Sequence, residues 1–563
     1  MPNSSPSRAV RDLADAHVSA LTELDPLQAT SLGIPTDRLR DMSPAGQDAI
    51  DELSRRTLTA LDVLERDVNG GLTGDELRCA RLLRERLTVA LEVSASGEHL
   101  RSVQNIIGPL QAVRMTFTMM PTATEDDWAM IARRMTRLPD ATTGYIASLA
   151  EGARRGLFAA PRQVITQAEQ LREWAAAGQG KGWFAEITSA ADVSPALRAD
   201  LDAAAAAAIG ATDALRTWLL EDYLPQADGT PDAVGAQRYA LLARMRNGGE
   251  LDLAEAYEWA WSEYRRLVVR QREQANLVLP GATLDEAVEH LDTYGEVVDG
   301  EDRIRARLQE MINTALANLD GTHFDLAEQV KLVESRIAPP GSAAAPYYTR
   351  PSPDFARPGR TWLPTLGRTR FPLWKLVSTW YHESVPGHHL QFAHWATLSG
   401  QLSRYQTSVG SVSAMTEGWA LYAERLMDEL GYLADPGAQL GYLDAQMRRV
   451  IRVIIDIGMH LELAIPSDSP VGAGQTWTPD LGRDMFRNGS PRDDAFVDSE
   501  IIRYLGVPSQ AIGYKLGERA WLAGRTAARA ARGSDFDLKS WHMTALSMGA
   551  MGLGDLTPEL SAI

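Results

Sequence analysis

The stretch Thr379-Trp380-Tyr381-His382-Glu383-Ser384-Val385-Pro386-Gly387-His388-His389-Leu390-Gln391 puts three imidazoles and a carboxylate within eight residues of a chain with 10 histidines in all. In the pattern His-Glu-x-x-His, two histidines four apart lie on one face of a helix and hold zinc, while the glutamate takes a proton from water. Here His382-Glu383 is present, but the next imidazole comes late. On a regular helix His388, six residues on, would stand about 240° round and about 9 Å along, facing away from His382. His389 returns to the same face but about 10.5 Å away, an awkward reach for one shared ion. Pro386-Gly387 offers the remedy. Proline deletes a backbone donor and clashes with the carbonyl four residues back, and glycine accepts the dihedrals of a bulge. The spacing therefore predicts a broken helix, with His388 swung into the place of the missing ligand and His389 as second choice. A lone histidine is usually a packing residue, but two candidate ligands, an adjacent base and a built-in distortion together favour a metal site.

A catalytic zinc site needs a third ligand and an open fourth position. The run Ser408 to Gly431, SVGSVSAMTEGWALYAERLMDELG, reads as a helix with Ala414, Trp419, Leu421, Tyr422, Leu426 and Leu430 on its apolar side. Glu417, beside Gly418 where a neighbouring backbone can come close, is the candidate third ligand. Glu424, seven residues on and on the same face, is expected to orient a ligand histidine from behind. Solvated helix faces are full of glutamates, a reading that suits Asp428 and Glu429 better than a glutamate inside MTEGWALY.

Further downstream, YLDAQMRRVIRVIIDIGMHLEL is a strongly apolar helix carrying Arg449, Arg452, Asp456 and His460. Arg452 and Asp456, four apart, are expected to pair. His460 has two readings of equal weight, a hydrogen-bond donor to a developing oxyanion or a core residue. The segment DSEIIRYLGVPSQAIGYKLGERAW gathers Glu500, Arg503, Tyr504, Gln510, Tyr514 and Lys515 around Pro508. Phenols can stabilise an oxyanion, and Arg503 or Lys515, with Gln510, can hold a substrate carboxylate; the plain alternative is a salt-bridged helix pair. The closing segment SWHMTALSMGAMGLGDLTPEL reads as a terminal helix and cap, with His542 structural.

Upstream, residues 338–370 are rich in proline, glycine and aromatics, which excludes helix and favours short strands. One of these is a candidate edge for pairing with an extended substrate, with Tyr348 and Arg357 read evenly as substrate contacts or packing residues. Residues 1–337 read as a helical scaffold: helical spacing runs from about Ser7 to Leu32, Gly46 to Arg66, Gly74 to Leu91, Glu125 to Arg137, Thr142 to Arg155, Arg162 to Ala176, Leu253 to Ala275, Leu284 to Thr293 and Asp302 to Leu319. The alanine run in LRADLDAAAAAAIGATDAL fits close helix packing rather than a linker. Residues 371–563 form the catalytic region, and the fold class expected is mostly α with a small β element near the active site.

The formal charge of −18 argues against non-specific nucleic-acid binding. With Cys79 as the one cysteine there is no internal disulfide, and any zinc site must use nitrogen and oxygen ligands. No apolar run is long enough to span a membrane. The start, MPNSSPSRAVRDLADAH, has no apolar segment between a basic beginning and a cleavage site, so the expected address is cytoplasmic.

Taken together, YHESVPGHHLQ, TEGWALYAERL, RVIIDIGMH and RYLGVPSQAIGYKLG, with the upstream RPGRTWLPT, resemble the successive signatures of the bacterial family called domain of unknown function 885. More distantly this resembles the helical gluzincins, such as thimet oligopeptidase, Taq-type carboxypeptidase and angiotensin-converting enzyme. In those enzymes Gly-His follows His-Glu more closely, so Gly387-His388 corresponds to it with two residues inserted. The resemblance implies His382, His388 and Glu417 as ligands of one zinc ion, Glu383 as base, and a helical body split by a deep cleft. The function expected is hydrolysis of an amide bond in a small peptide, carboxypeptidase-like or dipeptidase-like, with Tyr504, Tyr514 or His460 at the oxyanion. The rivals are hydrolysis of a specialised amide or ester metabolite, and a non-catalytic helical binding protein held together by its metal.

Overall fold

The computed structural model describes residues 8–67, 72, 74–175, 182–339, 345–490 and 493–563. The described residues are mostly α-helical, with five short strands among them ahead of the His-Glu stretch. The expected helix ends at Ser7 and Ala176 lie outside the described residues.

Several helices keep the expected limits within a few residues, among them Pro44–Asp67, Gly74–Ala95, Leu253–Val278 and Glu301–Leu319. The first expected helix is instead two, Ala9–Leu24 and Pro26–Ser31. Pro26 has no N–H to continue the ladder and starts a new helix capped by the Asp25 side chain. The alanine run lies in Pro195–Trp218, and Ala204, Ala205 and Ala208 are buried in a core shared with Glu125–Met135, Leu138–Arg154 and Pro161–Ala175. A side chain no larger than a methyl lets these helices approach closely.

The buried residues of that core lie between Met42 and Ala227, with Leu39 packed against it. A larger core runs from Val10 to Leu560 and encloses the His-Glu stretch, so the first and last helices of the chain pack around one interior.

The strands are β1 (Val297–Asp299), β2 (Val333–Ile337), β3 (Tyr347–Thr349), β4 (Gly359–Leu363) and β5 (Arg370–Pro372). β1 pairs antiparallel with β5, while β4 lies between β2, parallel to it, and β3, antiparallel to it. The β element thus begins earlier than proline and glycine content indicates, because β2 precedes Ala338.

Candidate metal centre

The helix Val377–Glu383 stops at Ser384 and a second, His388–Thr397, starts after Gly387. The Val385–Pro386 peptide between them is cis. In place of the regular ladder, the Gly387 N–H donates to the Tyr381 carbonyl at 3.1 Å and the His389 N–H to the Ser384 carbonyl at 3.1 Å. A Cβ on Gly387 would lie 1.9 Å from the His382 carbonyl oxygen, so no other residue fits this corner. The Trp419 indole N–H donates to the carbonyls of both Pro386 and Gly387, at 3.0 and 3.1 Å. Trp419 lies two residues after Glu417 on the helix Ser413–Glu429, so the side chain that braces the break also registers it against the glutamate.

His382, His388 and Glu417 converge, each offering a ligand atom within 4.8 Å of the others. His382 Nε2 stands 3.3 Å and His388 Nε2 3.5 Å from Glu417 Oε2, and Glu383 Oε1 is 4.0 Å from His382 Nε2. The two imidazole rings meet edge to face with centroids 4.8 Å apart. Behind them, His382 Nδ1 donates to Glu424 Oε1 at 2.8 Å, and Glu424 also accepts from Arg449 and from the Ser378 hydroxyl. This orients the ring: its Nδ1 proton is given to Glu424, and Nε2 is turned toward Glu417.

The donor set fits a cation. Glu417 Oε2 is buried without a hydrogen-bond donor, and three atoms bearing lone pairs share one small space. Burial lowers the His382 pKa, but Glu417 and Glu424 outweigh it and raise the group to about 9. Burial raises Glu417, but His388 and His382 hold it well below the usual carboxylate range. Both shifts describe a site that favours a positive charge at its centre. Burial pushes the Glu383 carboxyl up, as suits a proton carrier.

His389 is not part of this cluster. Its Nε2 donates to the Val330 carbonyl at 2.7 Å and its Nδ1 accepts from the Tyr348 hydroxyl at 3.0 Å, so both nitrogens are engaged and the ring is fully buried. Tyr348 therefore packs, stacking also on Phe392, whose ring in turn stacks on His388. Arg357 is exposed on the loop between β3 and β4.

The other sequence candidates divide. His460 is a core residue: the Val234 N–H donates to Nδ1 at 3.3 Å, and Nε2 donates to the Tyr504 carbonyl at 3.0 Å. No nitrogen is left for an oxyanion. Lys515 is buried against Glu518, Glu263 and Gln446, so its charge is already spent. The Tyr504 hydroxyl donates to Glu500 and accepts from Arg452. Gln510 accepts from Arg503 at 2.7 Å. Tyr514 differs: its hydroxyl makes no hydrogen bond to any described residue, and it stands within electrostatic reach of Glu417. The expected Arg452–Asp456 pair does not form. Arg452 reaches Glu500, and Asp456 instead accepts from the Tyr239 hydroxyl and the Ser509 N–H. Sequence reading missed Arg350, whose guanidinium lies 3.6 Å from the Phe392 ring centre, because a cation over an aromatic ring leaves no spacing signature.

The family model for "Bacterial protein of unknown function (DUF885)" matches residues 26–560. The chain belongs to this family. Among solved structures, that of a "putative lipoprotein" from Colwellia psychrerythraea is similar to this DUF885 chain with a TM-score of 0.82 and 21% identity, over 99% of both chains. That of a "putative lipoprotein of unknown function" from Shewanella oneidensis gives 0.74 and 18%, over 99% of this chain and 100% of the other. At such identities the likeness shows a common fold. No curated protein matches the chain. The expected cytoplasmic address is overturned by these neighbours, each described as a "putative lipoprotein". No described helix is long and apolar enough to cross a membrane.

Proposed function

We propose that this chain is a zinc-dependent hydrolase of amide bonds in small peptides. The observation that carries the reading is the convergence of His382, His388 and Glu417 with Glu383 4.0 Å from the His382 nitrogen, across a helix break that makes the late histidine usable. Two imidazoles and a carboxylate with an open fourth position are the ligand set of catalytic zinc. The motif's likeness to the helical gluzincins, with two residues inserted, supports the same reading.

Zinc bound there supplies Lewis acidity, polarising a carbonyl and acidifying water. The protein does the rest. Glu424 and Arg449 hold the His382 ring by its Nδ1 side, so Nε2 faces inward. Glu383 takes the proton of the attacking water and returns it to the leaving nitrogen, a role that its raised pKa favours. Tyr514, whose hydroxyl makes no hydrogen bond to a described residue, donates to the oxygen of the carbonyl as charge develops there. Tyr504 supports this from behind by anchoring Arg452.

The test joins metal analysis to a screen of short peptides and simple amides. Replacing Glu383 by Gln should lower turnover by about 10²-fold or more with metal content unchanged. Full turnover in the metal-loaded variant would remove Glu383 as the base. Tight metal binding without hydrolysis of any amide would favour a purely structural ion.

A further inference from the structure

We propose that Arg452 and Arg503 form a receptor for a carboxylate on the substrate, so that the chain selects short peptides bearing a free acid near the bond to be cut. The inference rests on the metal site as read above but uses different residues. Glu500 accepts from Arg452 Nη2 at 2.8 Å, from Arg503 Nη2 at 2.7 Å and from Arg503 Nε at 2.9 Å, and the Tyr504 hydroxyl also donates to it. Two guanidiniums therefore share one carboxylate, where both side chains are roughly nine-tenths shielded, at 13% and 9% exposure. Counting outward does not cancel the surplus, because Asp456, within electrostatic reach of Arg503, faces Arg246 as well. A shielded excess positive charge is costly unless an anion answers it.

The surplus points toward the metal site. Arg449, one turn before Arg452 on the helix Pro436–Leu461, is bound to Glu424 behind His382, so Arg452 sits about one helical turn from the ligand assembly. The Arg452 guanidinium lies 5.3 Å from the Tyr514 ring centre, and Tyr514 is within reach of Glu417. Arg452 spends Nε on Tyr504 and Nη2 on Glu500, while Nη1 donates to no described residue. Beside the metal site, then, the Tyr514 hydroxyl and Arg452 Nη1 both donate to no described residue. One suits a carbonyl oxygen and the other a carboxylate. Lys515, the other cation expected to take this role, is already matched by two carboxylates.

The acid can be the peptide's C-terminus or an acidic side chain, and three probes separate these: acetyl-trialanine as free acid, its C-terminal amide, and an amidated acetyl-Ala-Ala-Glu. Calorimetric binding to the full-length Glu383→Gln chain loaded with zinc keeps the probes intact. The free acid should bind at least about tenfold more tightly than the amide. Arg452→Gln should shrink the ratio to below about threefold, and Arg452→Lys should restore part of it. Binding of the glutamyl amide as tight as the free acid would assign the carboxylate to a side chain, and weak binding would assign it to the C-terminus. Should Arg452→Gln fail to fold, the acid-to-amide ratio on the parent chain decides alone. Equal affinity for acid and amide, or binding of neither, overturns the receptor. Absence of hydrolysis by the native chain, with the acid preference intact, would sink the proposed reaction and leave the receptor standing.

Discussion

Glu424 sits fully buried with Ser378, His382 and Arg449 as partners, and both its oxygens are used. Burial raises its carboxyl, yet Arg449 and His382 bring it down to about 2, so it is ionised across the working pH range. The pair with Arg449 holds the imidazole by one nitrogen and turns the other toward Glu417, where the proposed ion would sit. Replacing Glu424 by Gln keeps the shape but removes the charge that answers Arg449 and raises the basicity of His382. Zinc affinity, measured by competition with a chromophoric chelator, should fall by about 10- to 100-fold. An unchanged affinity would show that Glu424 serves packing alone.

The elements are set by glycines that let backbones touch. A Cβ on Gly517 would lie 1.9 Å from the Ala414 carbonyl oxygen, and one on Gly418 would lie 2.4 Å from the Gly517 carbonyl carbon. The helices Ser413–Glu429 and Gly513–Arg532 therefore meet backbone to backbone one residue from Glu417, and the same contact brings in the segment that carries Tyr514. Gly517→Ala should destabilise the fold by about 1–3 kcal/mol by overpacking, read as a lower denaturation midpoint. A variant as stable as the native chain would show that the helices are free to separate. The break at Pro386-Gly387 and the value of Gly418 were legible in the sequence because each depends on a few neighbouring residues and on backbone sterics. The roles of Arg452 and His460 were not, because their partners are set by tertiary packing. Arg452 finds Glu500 48 positions away rather than Asp456 four away, and His460 is tied to Val234, 226 positions back. Helical spacing says which residues share a face but not which distant segment covers it.

At the scale of the whole molecule, one interior joins the first helix to the last and surrounds the His-Glu stretch, while a second core serves the helices between Met42 and Ala227. Periodicity made the helical class plain. The parallel pairing of β2 with β4 was hidden because Val333–Ile337 is short and its partner lies beyond the proline-rich segment. This arrangement brings His382, His388 and Glu417 from three helices to one point, so an ion held there would link those helices. The most direct measurement is zinc stoichiometry by elemental analysis of the native chain and of His388→Ala, Glu417→Gln and His389→Gln variants, each saturated with zinc and then dialysed. The account predicts about one zinc per native chain and per His389→Gln chain, and well under half an equivalent in the other two. A native chain that retains none, or full occupancy after loss of His388 and of Glu417, would contradict it.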